Sequence, residues 1–132
     1  MIIIVDTNFL MYVAKYRIDL LSELDSLFMK FEVVIPQKVF SELQKLEKSK
    51  GMDKFAASLA LEIIEKLLSK KKLEIKGIEA RNADDEIVKL VEEMQKKEKI
   101  KVCTMDRKLA DRVKKLGAGM VKIKQKKRIS EE

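Results

Sequence analysis

Histidine is absent from the 132-residue chain, and that absence removes much chemistry. Without imidazole there is no Ser-His-Asp or Cys-His catalysis and none of the usual zinc-enzyme ligand sets. Hydrolytic chemistry must then rest on carboxylates, lysines, hydroxyls and a hard metal ion. Cysteine is down to one, Cys103, inside an apolar run. A lone thiol makes no internal disulfide, and in a buried strand it reads as inert packing. Aromatics are few, five Phe and two Tyr. Most of the Phe fall at core positions, so base-stacking platforms of the kind used on single strands are not evident. No run approaches the ~20 apolar residues of a membrane span. The start, MIIIVDTN, is too short and too poor in basic residues for a signal peptide. The expectation is a cytoplasmic protein with no membrane partner.

What is present is charge. Charged residues make up 39% of the chain and hydrophobic residues 46%. That charged share exceeds an average of roughly 25%, yet enough apolar material remains for one core. The net charge is +7 and the isoelectric point about 9.4. A basic surface favours a polyanion, because neutralising phosphates releases counterions; on charge alone, plain solubility explains it equally well.

Hydrophobic patterning alternates between strands and helices. Residues 2–5 form a β-branched run that ends at Asp6, and it reads as a strand buried on both faces. Helices are expected over 8–14 and 20–29, and a strand over 32–35. Pro36 then opens a helix to about residue 48, since proline suits a first helical turn. A long helix follows over 53–69, with Phe55, Leu59, Ile63 and Leu67 at helical spacing. Further strands are expected over 73–75, 101–104 and 119–123, and helices from 82 or 83 and over 106–116, the last closed by Gly117. The pattern predicts an α/β domain with a mostly parallel sheet and no internal repeat or linker. Residues 124–132 read as a basic, mobile tail.

The acids fall at telling places. In open parallel sheets the ligand site lies beyond the carboxyl ends of the strands. Asp6 sits at such an end, and Asp106 two residues beyond another. Singly, each reads as the N-cap of the next helix. Side chains at i, i+3, i+4 and i+7 share a helix face. Asp84 precedes Ile87, Val88 and Val91 at those spacings, and Asp106 precedes Leu109, Ala110 and Val113. Both aspartates thus extend apolar stripes, where an acid is costly unless something neutralises it. Asp85 lies ~100° round the helix from Asp84 and should face solvent. Glu42, between Val39 and Leu46, sits at a stripe edge and alone reads as a surface glutamate. Held close together, two from strand ends or just beyond and two from helices packed on the sheet, such carboxylates raise each other's pKa unless a divalent cation sits among them. Oxygen-only donors suit Mg²⁺ or Mn²⁺, which can activate a water for in-line attack on phosphorus. Asp6, Asp84 and Asp106 are the expected metal ligands.

Four strings carry a family likeness: VDTNFL, VIPQKVFSELQKL, NADDEIVKLVEEM and KVCTMDRKLADRVKKLG. Each is short, but in this order and spacing they are specific, and the chain resembles the PIN-domain ribonucleases across nearly its whole length. The resemblance implies a three-layer fold with a five-stranded parallel sheet over residues 1–123, and a Mg²⁺- or Mn²⁺-dependent endoribonuclease. The family's four acids fall on Asp6, Glu42, Asp84 and Asp106. Asn8 and Thr104 fill the places of its orienting polar groups, and Asp85 lies where adjacent acid pairs are common. The ADDEIV and DRKLADRVKKLG strings look most like archaeal relatives of the PIN nucleases that process small-subunit ribosomal RNA. The toxin halves of toxin–antitoxin pairs share the same acids.

The implied partner is RNA, single-stranded or a ribosomal precursor. Ribosome-assembly factors or an antitoxin would follow from the branch, and a homodimer from family habit. Lysines cluster at 70–72, at 96–101 and at the C-terminus. The first two clusters read equally well as solvated faces. The expected backbone contacts are Arg107, Lys124, Lys126, Lys127 and Arg128. Two other classes compete. A phosphoacceptor domain usually has two acids ending its first strand and an acceptor Asp ending its third; here Asp6 stands alone and the third strand runs into Lys76-Gly77. An RNA-binding scaffold without cleavage is the other, and the full set of acids argues against it.

Overall fold

The computed structural model describes residues 1–124 and 128–132. Ile2–Val5 forms β1, buried throughout as a continuous apolar run requires. It leads into α1 (Thr7–Lys15) and α2 (Leu20–Leu27), then β2 (Glu32–Pro36). Pro36 closes that strand and opens α3 (Gln37–Glu47). The next elements are α4 (Gly51–Ser69), β3 (Leu73–Lys76) and α5 (Ala83–Met94). β4 (Ile100–Cys103), α6 (Arg107–Lys115), β5 (Gly119–Lys124) and β6 (Arg128–Glu131) complete the chain. After α6 comes Gly117, whose φ of +100° is a conformation that side chains disfavour, as its place beyond a helix end predicts.

The strands form one sheet in the order β3-β2-β1-β4-β5-β6. The first five run parallel, and β6 pairs antiparallel with β5. Two helix groups, α1 with α3 and α4, and α5 with α6, flank the sheet and give the three layers. Their core holds Ile3, Ile4, Phe9, Leu10, Val34, Leu43, Ile87 and Val102. Cys103 is buried there, and burial pushes its thiol far above the ordinary range, as inert packing requires.

Two expectations need correction. The sheet has six strands rather than five. The sixth comes from the segment read as a tail: Arg128–Glu131 pairs with β5, and buried Ile129 anchors it. Its amide donates to Glu23 of α2 at 3.1 Å. Phe55 also departs from its stripe and stands 46% exposed, beside exposed Met52.

Candidate active site

Parallel pairing lines up the carboxyl ends of β1 and β4, with Val5 opposite Cys103. The residues just beyond therefore meet. The Asp6 amide donates to the Cys103 carbonyl at 3.0 Å. The Thr104 hydroxyl donates to Asp6 Oδ2 at 2.9 Å, and the Thr7 amide to Oδ1 at 2.7 Å. Thr104 Oγ1 also accepts from the Asp106 amide at 3.0 Å, so one hydroxyl joins the Asp6 carboxylate to the Asp106 backbone. Asp106 itself caps α6, its Oδ1 accepting from Lys108 and Leu109. The cap reading and the site reading of Asp106 are thus compatible.

Burial drives the Asp6 carboxyl above the usual aspartate range. The bonds from Thr104 and Thr7 pull it back, and the charges of Asp84 and Glu42 push it up again. Asp84, half-buried on the first turn of α5, is raised by desolvation and then by Asp106, against the pull of Arg112. Asp85 and Glu42 add to the rise. Electrostatically the four acids therefore form one cluster. Glu42 and Asp106 are exposed, as is Asn8 on the first turn of α1. Asp85 does not simply face water: it pairs with Arg112 of α6 at 2.9 Å and with Arg81 at 3.6 Å.

The donor set suits a hard cation. Every candidate ligand is a carboxylate oxygen, the cluster repels itself, and one member is desolvated. The Thr7 hydroxyl beside Asp6 is buried with no hydrogen-bond partner among the described residues, so the polar lining here is incomplete. As the side chains stand, no three acids among the described residues converge on one point. Mg²⁺ does not need three, since it typically keeps several waters and takes only one or two carboxylates.

Sequence reasoning missed two residues here. Arg112 holds Asp85 and its charge reaches Asp84. Glu86 is buried and bonds to the start of α3. Arg112 lies in the basic last turn of α6, where a cation is locally favourable and so gives no special signal. Glu86 stands four residues before buried Leu90 on an apolar face, but it is one of three acids in a first helical turn, where an acid is favourable anyway, so it gives no special signal either.

The basic clusters separate by topology. Residues 70–72 precede β3 and residues 96–99 precede β4, which puts both at the amino ends of strands, away from Asp6. β5 instead continues past its last pairing with β4, Cys103 with Val121, carrying Lys122 and Lys124 beyond the carboxyl ends. Lys124 faces Arg128 across the β5–β6 ladder, and both are exposed. Lys126 and Lys127 lie outside the described residues. Arg107 is exposed at the start of α6. Beside the acids opens a groove of about 470 Å³, lined among others by Asn8, Tyr12, Lys15, Met52, Met105 and Asp106.

Residues 3–126 match the family described as "PIN like domain". Ribonuclease VapC4 of Methanocaldococcus jannaschii is 34% identical over 129 residues, which cover 95% of this chain and 92% of that protein. Among solved structures, the PIN domain endonuclease Utp24 superposes with a TM-score of 0.74 at 26% identity, over 99% of this chain and 90% of that one. A domain of a functionally unknown protein from Methanocaldococcus jannaschii shares the fold, with a TM-score of 0.61 at 20% identity over 93% of this chain and 91% of that one.

Proposed function

The chain belongs to the family of PIN-like domains, and on that premise we propose that it is a Mg²⁺- or Mn²⁺-dependent endoribonuclease. The observation that carries the reading is Asp6, buried at the end of β1, bonded to Thr104, and under the charges of Asp84 and Glu42. Likeness to ribonuclease VapC4 supports RNA as substrate, and likeness to the endonuclease Utp24 supports internal cleavage.

Asp6, Asp84 and Asp106 would hold the metal, directly or through the waters it keeps. When bound, such an ion lowers the pKa of a water and stabilises charge on the leaving oxygen. The protein's own groups do the positioning. Thr104 and the Thr7 amide fix both oxygens of Asp6, so that it cannot turn away. Glu42 is the exposed carboxylate left to take a proton from the attacking water. Asn8, in the groove lining, orients the substrate, and Asp85 steadies Arg112 beside Asp84. Arg107, Lys124 and Arg128, with Lys126 and Lys127 of the connecting segment, hold phosphates without reading sequence.

Among RNAs we favour a ribosomal precursor, on the ADDEIV and DRKLADRVKKLG strings; the toxin role is the alternative with the same chemistry. Wild type should cleave a labelled precursor rRNA fragment with Mn²⁺ and fail in EDTA. Asp6→Asn should lose at least ~100-fold in rate. Equal cleavage by the variant, or cleavage in EDTA, would overturn the reading. RNA binding with no cleavage by wild type would favour the scaffold instead, and preference for other RNAs would favour the toxin role.

A further inference from the structure

Glu86 is 2% exposed, and the proposed chemistry leaves it unused. Its two oxygens are taken by backbone amides from two other parts of the chain. Oε1 accepts from Lys38 N at 2.8 Å, and Oε2 accepts from Ile78 N at 3.3 Å. The first donor lies in the opening turn of α3. The first four amides of a helix lack intrahelical partners, and the residue preceding α3, Pro36, makes no side-chain cap. Glu86 therefore caps α3 from another helix and sets a negative charge at its positive end. The second donor belongs to the segment between β3 and α5, which runs tight against α3. A Cβ on Gly77 would stand 3.2 Å from Cβ of Gln37, closer than side chains normally pack. One buried carboxylate thus joins α5, the start of α3 and the intervening segment.

Two of the site acids lie within a turn of this joint. Glu42 follows Lys38 by one turn of α3, and Asp84 precedes Glu86 on the first turn of α5. Both are carboxylates, and like charges carried on two neighbouring helices work against the arrangement. Something must hold the two helices together at this end. We infer that Glu86 is a positioning residue that locks the amino end of α3 to α5 and so sets the spacing of Glu42 and Asp84 for a divalent cation. It touches neither substrate nor metal. The inference rests on the metal-nuclease reading for its purpose, but the joint itself does not.

Calorimetric Mn²⁺ titration and amide NMR on the full chain test it. At a temperature well below melting, Glu86→Gln and Glu86→Ala should bind Mn²⁺ about tenfold or more weakly, the usual effect of removing a group that orients ligands. In metal-free spectra the amides of Glu42 and Asp84 should shift along with those of Lys38 and Ile78. Ile129→Ala serves as control: it removes a buried side chain at the far edge of the sheet and should lower the melting temperature without weakening Mn²⁺ binding. Unchanged Mn²⁺ affinity in Glu86→Gln, or equal weakening in Ile129→Ala, would overturn the inference. If Glu86→Ala does not fold, Glu86→Gln carries the comparison, since it keeps one acceptor oxygen. If wild type itself binds no Mn²⁺, the nuclease reading fails instead, and unmoved Glu42 and Asp84 amides in Glu86→Gln then overturn the joint on their own.

Discussion

Asp6 ionises against its surroundings. Desolvation outweighs the bonds from Thr104 and Thr7, and the charges of Asp84 and Glu42 add to it, so the folded chain holds this proton more tightly than the unfolded chain does. Asp84 acts in the same sense. A carboxyl raised in the folded state contributes no penalty below the unfolded pKa, and stability is lost as pH rises through the raised value. At neutral pH the metal-free protein therefore carries an electrostatic load at this strand end. Asp6→Asn removes one charge, keeps the shape, and retains an oxygen for the Thr7 amide. In EDTA at pH 7 the variant should melt higher than wild type by a few degrees, ~4 °C for each kcal/mol relieved. The gap should close as pH falls toward ~4, where the unfolded carboxyl also takes up its proton. Mn²⁺ should raise the melting temperature of wild type and leave the variant almost unmoved. A variant that melts at or below wild type at pH 7 in EDTA would show that the burial penalty has been misassigned. These residues also show what a sequence gives at this scale. Asp6 and Asp106 were readable because strand ends and helix starts are local features. Glu86 was not, because an acid in a first helical turn is favourable in its own right, and its true partners lie 48 and eight residues away.

The same division holds for elements. β1 to β5 and all six helices follow from apolar runs, helical spacing, Pro36 and Gly117, each readable within a short window. β6 does not, since RISE offers one buried apolar residue, Ile129, among polar neighbours. Its place is set by groups outside that string: the ladder with neighbouring β5, the bond from Ile129 to distant Glu23, and an ion pair between Glu131 and Lys101 of β4. The Lys101 side chain is only 9% exposed. Removing Glu131 would strand an ammonium in a nearly dry position, and breaking a fully buried pair in this way costs about 3–5 kcal/mol. Glu131 itself is 44% exposed, so water can partly replace it. The expected loss for Glu131→Ala is therefore smaller, about 1–2 kcal/mol. Adding Lys101→Met should recover most of it, because an apolar chain needs no partner there. Thermal melts of the single and double variants check this, and cleavage at 25 °C should match wild type in both. A Glu131→Ala protein as stable as wild type would mean that the ion pair does not hold β6.

Across the whole molecule, charge is sorted by the direction of the strands. The acids gather at the carboxyl ends of β1 and β4 and on the neighbouring helices, while two of the lysine clusters sit at the amino ends. A net charge of +7 would draw RNA to the protein without guiding it to the acids; of the three clusters, the C-terminal one is placed for the aiming we propose. Lys124 and Arg128 stand directly opposite each other on β5 and β6. Like charges so placed destabilise a strand pair by a fraction of a kcal/mol, roughly 0.2–1. Replacing both with alanine should therefore not harm the fold. For single-stranded RNA each lost phosphate contact flattens the dependence of log K on log salt by ~0.7. In an Asp6→Asn background, where bound RNA survives, Lys124→Ala with Arg128→Ala should flatten the slope by about 1.4. Lys71→Ala with Lys72→Ala, at the opposite end, should leave it unchanged, although both pairs remove the same net charge. Equal slopes for the two double variants would mean that RNA is held by overall charge alone. Loss confined to the β5–β6 pair would place the RNA backbone across the carboxyl end of the sheet, beside the proposed catalytic acids.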